Sequence, residues 1–222
     1  MTEERIALVV GATGLIGGHC LRLLLEHPAY ARVIALVRRA LPAKPDRLEP
    51  RIVDFDRLED TPPLQVTDAF CALGTTIRKA GSQEAFRKVD YGYVKAAAEL
   101  AVKSGARRFV LVSSVGADPG SSSDYLRVKG ETERAVEALP LESVHVLRPS
   151  FLLGERSERR TGEAVGIAAA RAVKFALVGG LRKYRPIEAE TVAKAMVAAA
   201  LHGGPGRHVH QFEDIVAMAN RL

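Results

Sequence analysis

The stretch at residues 6–18, IALVVGATGLIGG, decides the fold. An unbroken apolar run passes without a spacer into a turn marked by glycines and then into an amphipathic segment. Gly11, Gly14 and Gly17 recur at every third position. Between a strand and a helix, that spacing gives each glycine a task. The first permits the tight turn, the second lets the backbone approach a pyrophosphate, and the third lets helix and strand pack closely. Because the helix starts at the turn, its unpaired N–H groups and the positive end of its dipole point at the same anion. Gly11, Thr13, Gly14, Leu15, Ile16 and Gly17 are thus the candidate dinucleotide contacts of this turn.

Working outward, residues 15–26 carry Ile16, Cys20, Leu23 and Leu24 at helical spacing and stop before Pro28, which cannot continue a helix. Residues 32–37 form the next strand and close a βαβ unit. Third and fourth strands are expected at 51–55 and 68–73, separated by a turn region with Pro62 and Pro63. Residues 82–103 read as one helix, with Phe86, Val89, Tyr93, Ala97 and Leu100 recurring at three or four, ended by Gly105. A fifth strand at 108–113, a helix at 125–139 and a sixth strand at 143–147 follow, closed by Arg148 and Pro149. Beyond Pro149 come a charged loop at 155–160, an alanine-rich helix at 163–178, a short strand at 184–187, a helix at 190–202, a last strand at 207–212 and a terminal helix. The alternation implies an α/β, doubly wound parallel sheet of Rossmann type. The 222 residues make one domain, with a small C-terminal substrate lobe at about 150–190. Right-handed crossovers bring the loops at 11–17, 38–44, 74–81 and 113–124 to one crevice.

The composition, 47% hydrophobic and 26% charged, is that of an ordinary globular chain. A net charge of +6 could suggest nucleic acid, but the basic residues are scattered, aromatics make up 5% and tryptophan is absent; neither a nucleic-acid nor a membrane partner is expected. Cys20 and Cys71 fall in segments that should be buried and have no metal-ligand spacing, so reduced core thiols and no metal are expected. The polar start, Met-Thr-Glu-Glu-Arg, lacks the basic and apolar regions of a signal peptide, and no run approaches the roughly 18 apolar residues of a spanning helix. On these grounds a cytoplasmic location is expected.

Tyr125 and Lys129 are the second informative feature. A separation of four places both on one helix face, about 6 Å apart along the axis. A cation that close favours the phenolate, so a proton could pass to or from a substrate oxygen nearer neutral pH. Ser113 and Ser114 end the preceding strand on the same edge, where a hydroxyl could hold a carbonyl.

GATGLIGG, the Ser113-Ser114 pair after an apolar strand, Tyr125-x-x-x-Lys129 and Arg148-Pro149 together resemble the short-chain dehydrogenase/reductase superfamily. FCALGTTIRKAG at 70–81, SSVGAD at 113–118 and YLRVKGETE at 125–133 are similar to its atypical branch, typified by the HIV Tat-interacting protein oxidoreductase. The similarity covers about residues 5–165; the last quarter matches less clearly and leaves the substrate undefined. The resemblance implies NAD(P) binding and a catalytic group of Ser114, Tyr125 and Lys129. Ser114 would polarise the carbonyl, with Ser113 as the second candidate. Tyr125 would be the general acid, and Lys129 would hold the ribose hydroxyls.

The end of the second strand bears on the choice of cofactor. An acid there would bond the adenosine 2′-hydroxyl of NAD and repel a 2′-phosphate, but the chain has Arg38 and Arg39. Guanidinium groups suit phosphate, so NADPH is expected over NADH. Asp54 either meets the adenine amino group or caps a strand end. Gly74, Thr75 and Thr76 are expected beside the ribose and nicotinamide, and Ser113, Arg148 and Pro149 complete the cofactor set. An NADPH-dependent carbonyl reductase acting on an unidentified small molecule is the leading expectation. A non-catalytic NADPH sensor, with a protein partner or as a homodimer, is the alternative. A nucleotide-sugar epimerase or dehydratase, with Arg156, Arg159 and Arg160 as a second phosphate cluster, is a third.

Overall fold

The protein is described here by a computed structural model covering residues 4–41, 45–153, 177 and 179–222. β1 (Arg5–Val10) leads into α1 (Leu15–Glu26), β2 (Tyr30–Val37) and β3 (Leu48–Ile52). β4 (Asp68–Cys71) is followed by α2 (Ile77–Ala80), α3 (Gln83–Arg87), a π-helical segment (Lys88–Tyr93) and α4 (Val94–Lys103). β5 (Arg108–Val112), α5 (Asp124–Glu137) and β6 (Ser143–Leu147) come next. A two-stranded pair of β7 (Leu152–Leu153) and β8 (Ile187–Glu188) precedes α6 (Ala189–His202), β9 (Gly206–His210) and α7 (Phe212–Ala219).

The main sheet has seven parallel strands in the order β3-β2-β1-β4-β5-β6-β9. The doubly wound Rossmann-type fold expected from the alternation is the one observed, with β9 as a seventh strand beside β6. Strands run outward from β1 through β2 and β3, then return on its other side as β4, so the order reverses between β1 and β4. The crevice beyond the strand C-termini at that reversal is where ligands bind in such sheets. β1 alternates between two cores. Ala7 and Val9 pack with Cys20, Leu24, Val110 and Met196 on the α1/α6 side; Leu8 and Val10 pack with Ala97, Leu100, Leu111 and Val136 on the α4/α5 side. Both cysteines are buried and free. Burial pushes the Cys20 thiol up, and the Cys71 thiol to about 11.

Three elements differ from expectation. β3 lies at Leu48–Ile52 rather than 51–55, in register with β2 from Val33↔Leu48 to Val37↔Ile52. β3 contains Pro50, which it accommodates as an edge strand, where a missing N–H costs no ladder bond. Phe55 instead enters a 3-10 turn (Phe55–Asp60). The helix expected at 82–103 is interrupted by the π-helical segment, which turns Asp90 inward. The short strand expected at 184–187 is displaced to β8 (Ile187–Glu188), and a 3-10 segment (Gly179–Tyr184) precedes it. Apart from Leu177, the expected alanine-rich helix at 163–178 lies outside the described residues, as do the charged loop at 155–160 and Arg156, Arg159 and Arg160.

The last strand adds a feature absent from the sequence reading. His145 on β6 stacks on His208 and His210 of β9, with ring centroids 4.8 and 5.2 Å away. Its Nδ1 lies 2.9 Å from His210 Nε2, and its Nε2 lies 2.9 Å from Ser143 Oγ. Burial first, then His210, His208 and Arg108, lower the His145 pKa to about 4. Burial and His208 also lower that of His210, against an opposing pull from Asp214. An unfolded histidine takes up a proton below about pH 6.5, which folded His145 refuses until about pH 4. This contribution to stability is therefore complete above pH 6.5 and is lost as pH falls toward 4, by about 2 kcal/mol at pH 5. Urea unfolding across that window should show a shallower pH dependence in His145→Asn than in wild type; coincident slopes would show that the stack does not contribute.

Candidate active site

The glycine turn sits at the reversal. Gly11 has φ +88°, and a Cβ there would lie 2.7 Å from the Ala72 carbonyl carbon, so the loops after β1 and β4 touch backbone to backbone. At Gly17 a Cβ would come within 2.0 Å of the Gly11 carbonyl oxygen. The first and third glycines are thus required by close approach, as the spacing implied. Gly14 donates its N–H to Gly11 O at 2.9 Å and is the N-cap of α1. No side chain caps α1 and no acid lies in its first turn, which leaves the helix start suited to an anion. Thr13 and Gly14 are exposed, Leu15 is half-buried, and the Ile16 side chain lies in the core, so Ile16 can offer a ligand only its backbone.

Arg38 and Arg39 follow β2 directly and are exposed, with no carboxylate partner among the described residues. Asp54 is also exposed and caps the 3-10 turn, its Oδ1 accepting the Asp56 N–H at 2.9 Å. Thr76 caps α2 through Oγ1, which accepts the Lys79 N–H at 3.2 Å. Thr75 donates its N–H to Asp90 Oδ2 at 2.8 Å.

α3 and the π-helical segment lie along α5 and brace it. Gln83 donates to Asp124 at 2.6 Å, Phe86 stacks on Tyr125 with centroids 5.4 Å apart, and Arg87 pairs with Glu131. Asp90 Oδ1 lies 2.8 Å from Lys129 Nζ, and Thr132 Oγ1 donates to Asp90 O at 2.9 Å. Tyr125 is half-buried, whereas Lys129 is only 7% exposed. Burial by itself lowers the Lys129 pKa, but Asp90 and Tyr125 outweigh it and hold the ammonium above the ordinary lysine value. Gly130 lets α5 press on the preceding loop: a Cβ there would lie 2.3 Å from Pro119 N.

The two serines divide by the alternation of β5. Ser113 is buried and its Oγ has no hydrogen-bond partner, while Ser114 is half-buried with Oγ 3.4 Å from Val115 O. Arg148 is committed to Glu133, with Nε donating to Oε1 at 3.0 Å and Nη2 paired to Oε2. Pro149 O accepts the Val115 N–H at 2.9 Å. Both residues hold the loops after β5 and β6 in place.

Sequence reasoning missed Asp90, Phe86 and Glu133. The signal for Asp90 was an acid between Phe86 and Val94 at four-residue spacing, a buried position on an otherwise apolar face.

A family model described as NAD(P)H-binding matches residues 11–203. Protein HTATIP2 of Rattus norvegicus is 40% identical over 166 residues, covering 72% of this chain and 68% of its own length. The protein "fmp52, mitochondrial" of Aspergillus clavatus is 36% identical over 206 residues, 87% of this chain and 86% of the relative. The solved human epimerase family protein SDR39U1 (isoform 2) with NADPH superposes with a TM-score of 0.65 at 16% identity, over 93% of this chain and 74% of that one, a likeness of fold. These relatives correct the cytoplasmic expectation, since the fungal ones are named as mitochondrial proteins. Among the described residues, no helix is long and apolar enough to cross a membrane. With a family match over most of its length and relatives at 40% and 36% identity, the chain belongs to the NAD(P)H-binding family.

Proposed function

We propose that the protein is an NADPH-dependent oxidoreductase of the short-chain dehydrogenase/reductase type that reduces a carbonyl compound. The observation that carries this reading is the Tyr125–Lys129 face of α5, braced by Phe86 and Asp90 beside the loop that follows β4. The residues fit the cofactor. The turn at Gly11 and Gly17 has no room for side chains, the start of α1 is uncapped, and Ser113 Oγ is a buried hydroxyl without a partner.

In this reading the backbone from Gly11 to Gly17 holds the pyrophosphate and Arg38 and Arg39 hold the 2′-phosphate. Asp54 meets the adenine, and Gly74, Thr75 and Thr76 flank the ribose, whose hydroxyls Lys129 binds. Ser113, Arg148 and Pro149 shape the far wall. When bound, NADPH supplies the hydride that goes to the carbonyl carbon. Tyr125 gives its phenolic proton to the carbonyl oxygen, so that one hydride and one proton yield the alcohol. Ser114 donates a hydrogen bond to that oxygen as negative charge grows on it.

Purified protein given NADPH and a panel of aldehydes and ketones should lose nicotinamide absorbance faster than a control lacking carbonyl. Protein that binds NADPH yet turns over no member of the panel would overturn the enzymatic reading in favour of a cofactor sensor.

A further inference from the structure

Asp90 is a fully buried carboxylate in contact with Lys129, and it faces two elements at once. Its Oδ2 accepts the Thr75 N–H at 2.8 Å, and its Oδ1 stands 2.8 Å from Lys129 Nζ in an ion pair. Its carbonyl accepts Thr132 Oγ1 at 2.9 Å, which fixes the π-helical segment to α5 one turn beyond Lys129. Gly74 packs closely on one side of the pair: a Cβ there would lie 3.1 Å from Asp90 Oδ1 and 3.4 Å from Lys129 Nζ. The other titratable groups acting on the Lys129 ammonium are Tyr125 on the same helix and Cys71 at the end of β4.

We propose that Asp90 is the positioning residue of this site, locking the Lys129 ammonium and the Gly74–Thr75 loop into one buried, charge-compensated unit. Lys129's catalytic role rests on the reductase reading above; the lock itself does not. Interruption of the helix at Lys88–Tyr93 serves this end, because it turns the carboxylate to the sheet side between Phe86 and Val94. A buried ammonium without its counter-ion is disfavoured, and its proton is then lost more readily. Conversely, while Asp90 is ionised its charge offsets the field of Lys129 at Tyr125.

The test is an NMR titration of full-length protein carrying isotope-labelled lysine, in wild type and Asp90→Asn, together with amide exchange at Thr75. Asparagine keeps an acceptor for the Thr75 N–H and removes only the charge. Wild-type Lys129 should stay protonated above the ordinary lysine range, and in Asp90→Asn it should deprotonate at least about one pH unit lower. Thr75 should remain protected in Asp90→Asn and lose protection in Asp90→Ala. Identical lysine titrations in the two proteins would overturn the proposal. Should neither variant fold, a wild-type Lys129 titrating below the ordinary lysine value would overturn it alone. If the protein reduces carbonyls, Asp90→Asn should lower kcat about ten- to a hundredfold, with a smaller change in NADPH affinity, and should move the alkaline limb of the rate profile to lower pH. Absence of any reductase activity would remove the catalytic reading and leave the lysine titration to decide the role of Asp90.

Discussion

Tyr125→Phe should reduce the rate of NADPH-dependent carbonyl reduction at least about a hundredfold and leave the fold intact. The variant keeps the ring stacked on Phe86 at 5.4 Å and leaves the Asp90–Lys129 pair at 2.8 Å untouched. Only the hydroxyl is lost. If that hydroxyl is the proton donor, the alkoxide forming on the substrate has no acid beside it, and the loss falls on kcat rather than on cofactor affinity. Stability should change little, because Tyr125 is half-buried and phenylalanine retains its apolar contacts. Turnover equal to wild type would remove the mechanism. Partner binding that responds to cofactor and survives the substitution would instead favour the sensor.

Gly17→Ala has the second large effect. The added methyl would sit 2.0 Å from the Gly11 carbonyl oxygen and 2.7 Å from its carbon. Both are backbone atoms of the turn, and Gly11 is itself pressed against Ala72, so nothing nearby can swing aside. α1 would have to move off β1, opening the contact of Ile16, Cys20 and Leu24 with that core. A cost of about 3 kcal/mol or more is expected from such overpacking, read as a lower urea midpoint, together with loss of saturable NADPH binding. A variant with wild-type stability and affinity would show that the helix start is not held as described.

Local patterns carried most of the fold. The glycine turn, the apolar strands and the break at Pro28 each depend on neighbours within a few residues, and their order implied the parallel sheet and its reversal. What escaped depended on partners far along the chain. Pro50 is harmless only because β3 is an edge strand, which no local pattern states. The helix at 82–103 looked continuous because Val89 and Tyr93 keep its period, whereas the π-helical segment answers to Lys129 and Thr75, which Asp90 must reach. Likewise Arg148 looked free to meet a cofactor until its pairing with Glu133 was visible. The stacking of His208 and His210 on His145 depends on the β6–β9 register. Tyr125, Lys129 and the serines were legible because a helical spacing of four and a strand end place them without tertiary knowledge.

If the crevice between β1 and β4 takes NADPH and distinguishes it from NADH through Arg38 and Arg39, titration of both cofactors into wild type and into the double variant Arg38→Ala/Arg39→Ala at one ionic strength tests this most directly. Wild type should bind NADPH at least about tenfold more tightly than NADH, since a 2′-phosphate gains charge-assisted, paired hydrogen bonds. The double variant should lose that preference while NADH affinity stays near its wild-type value. Equal affinities in wild type, or a preference for NADPH that survives loss of both arginines, would contradict the account.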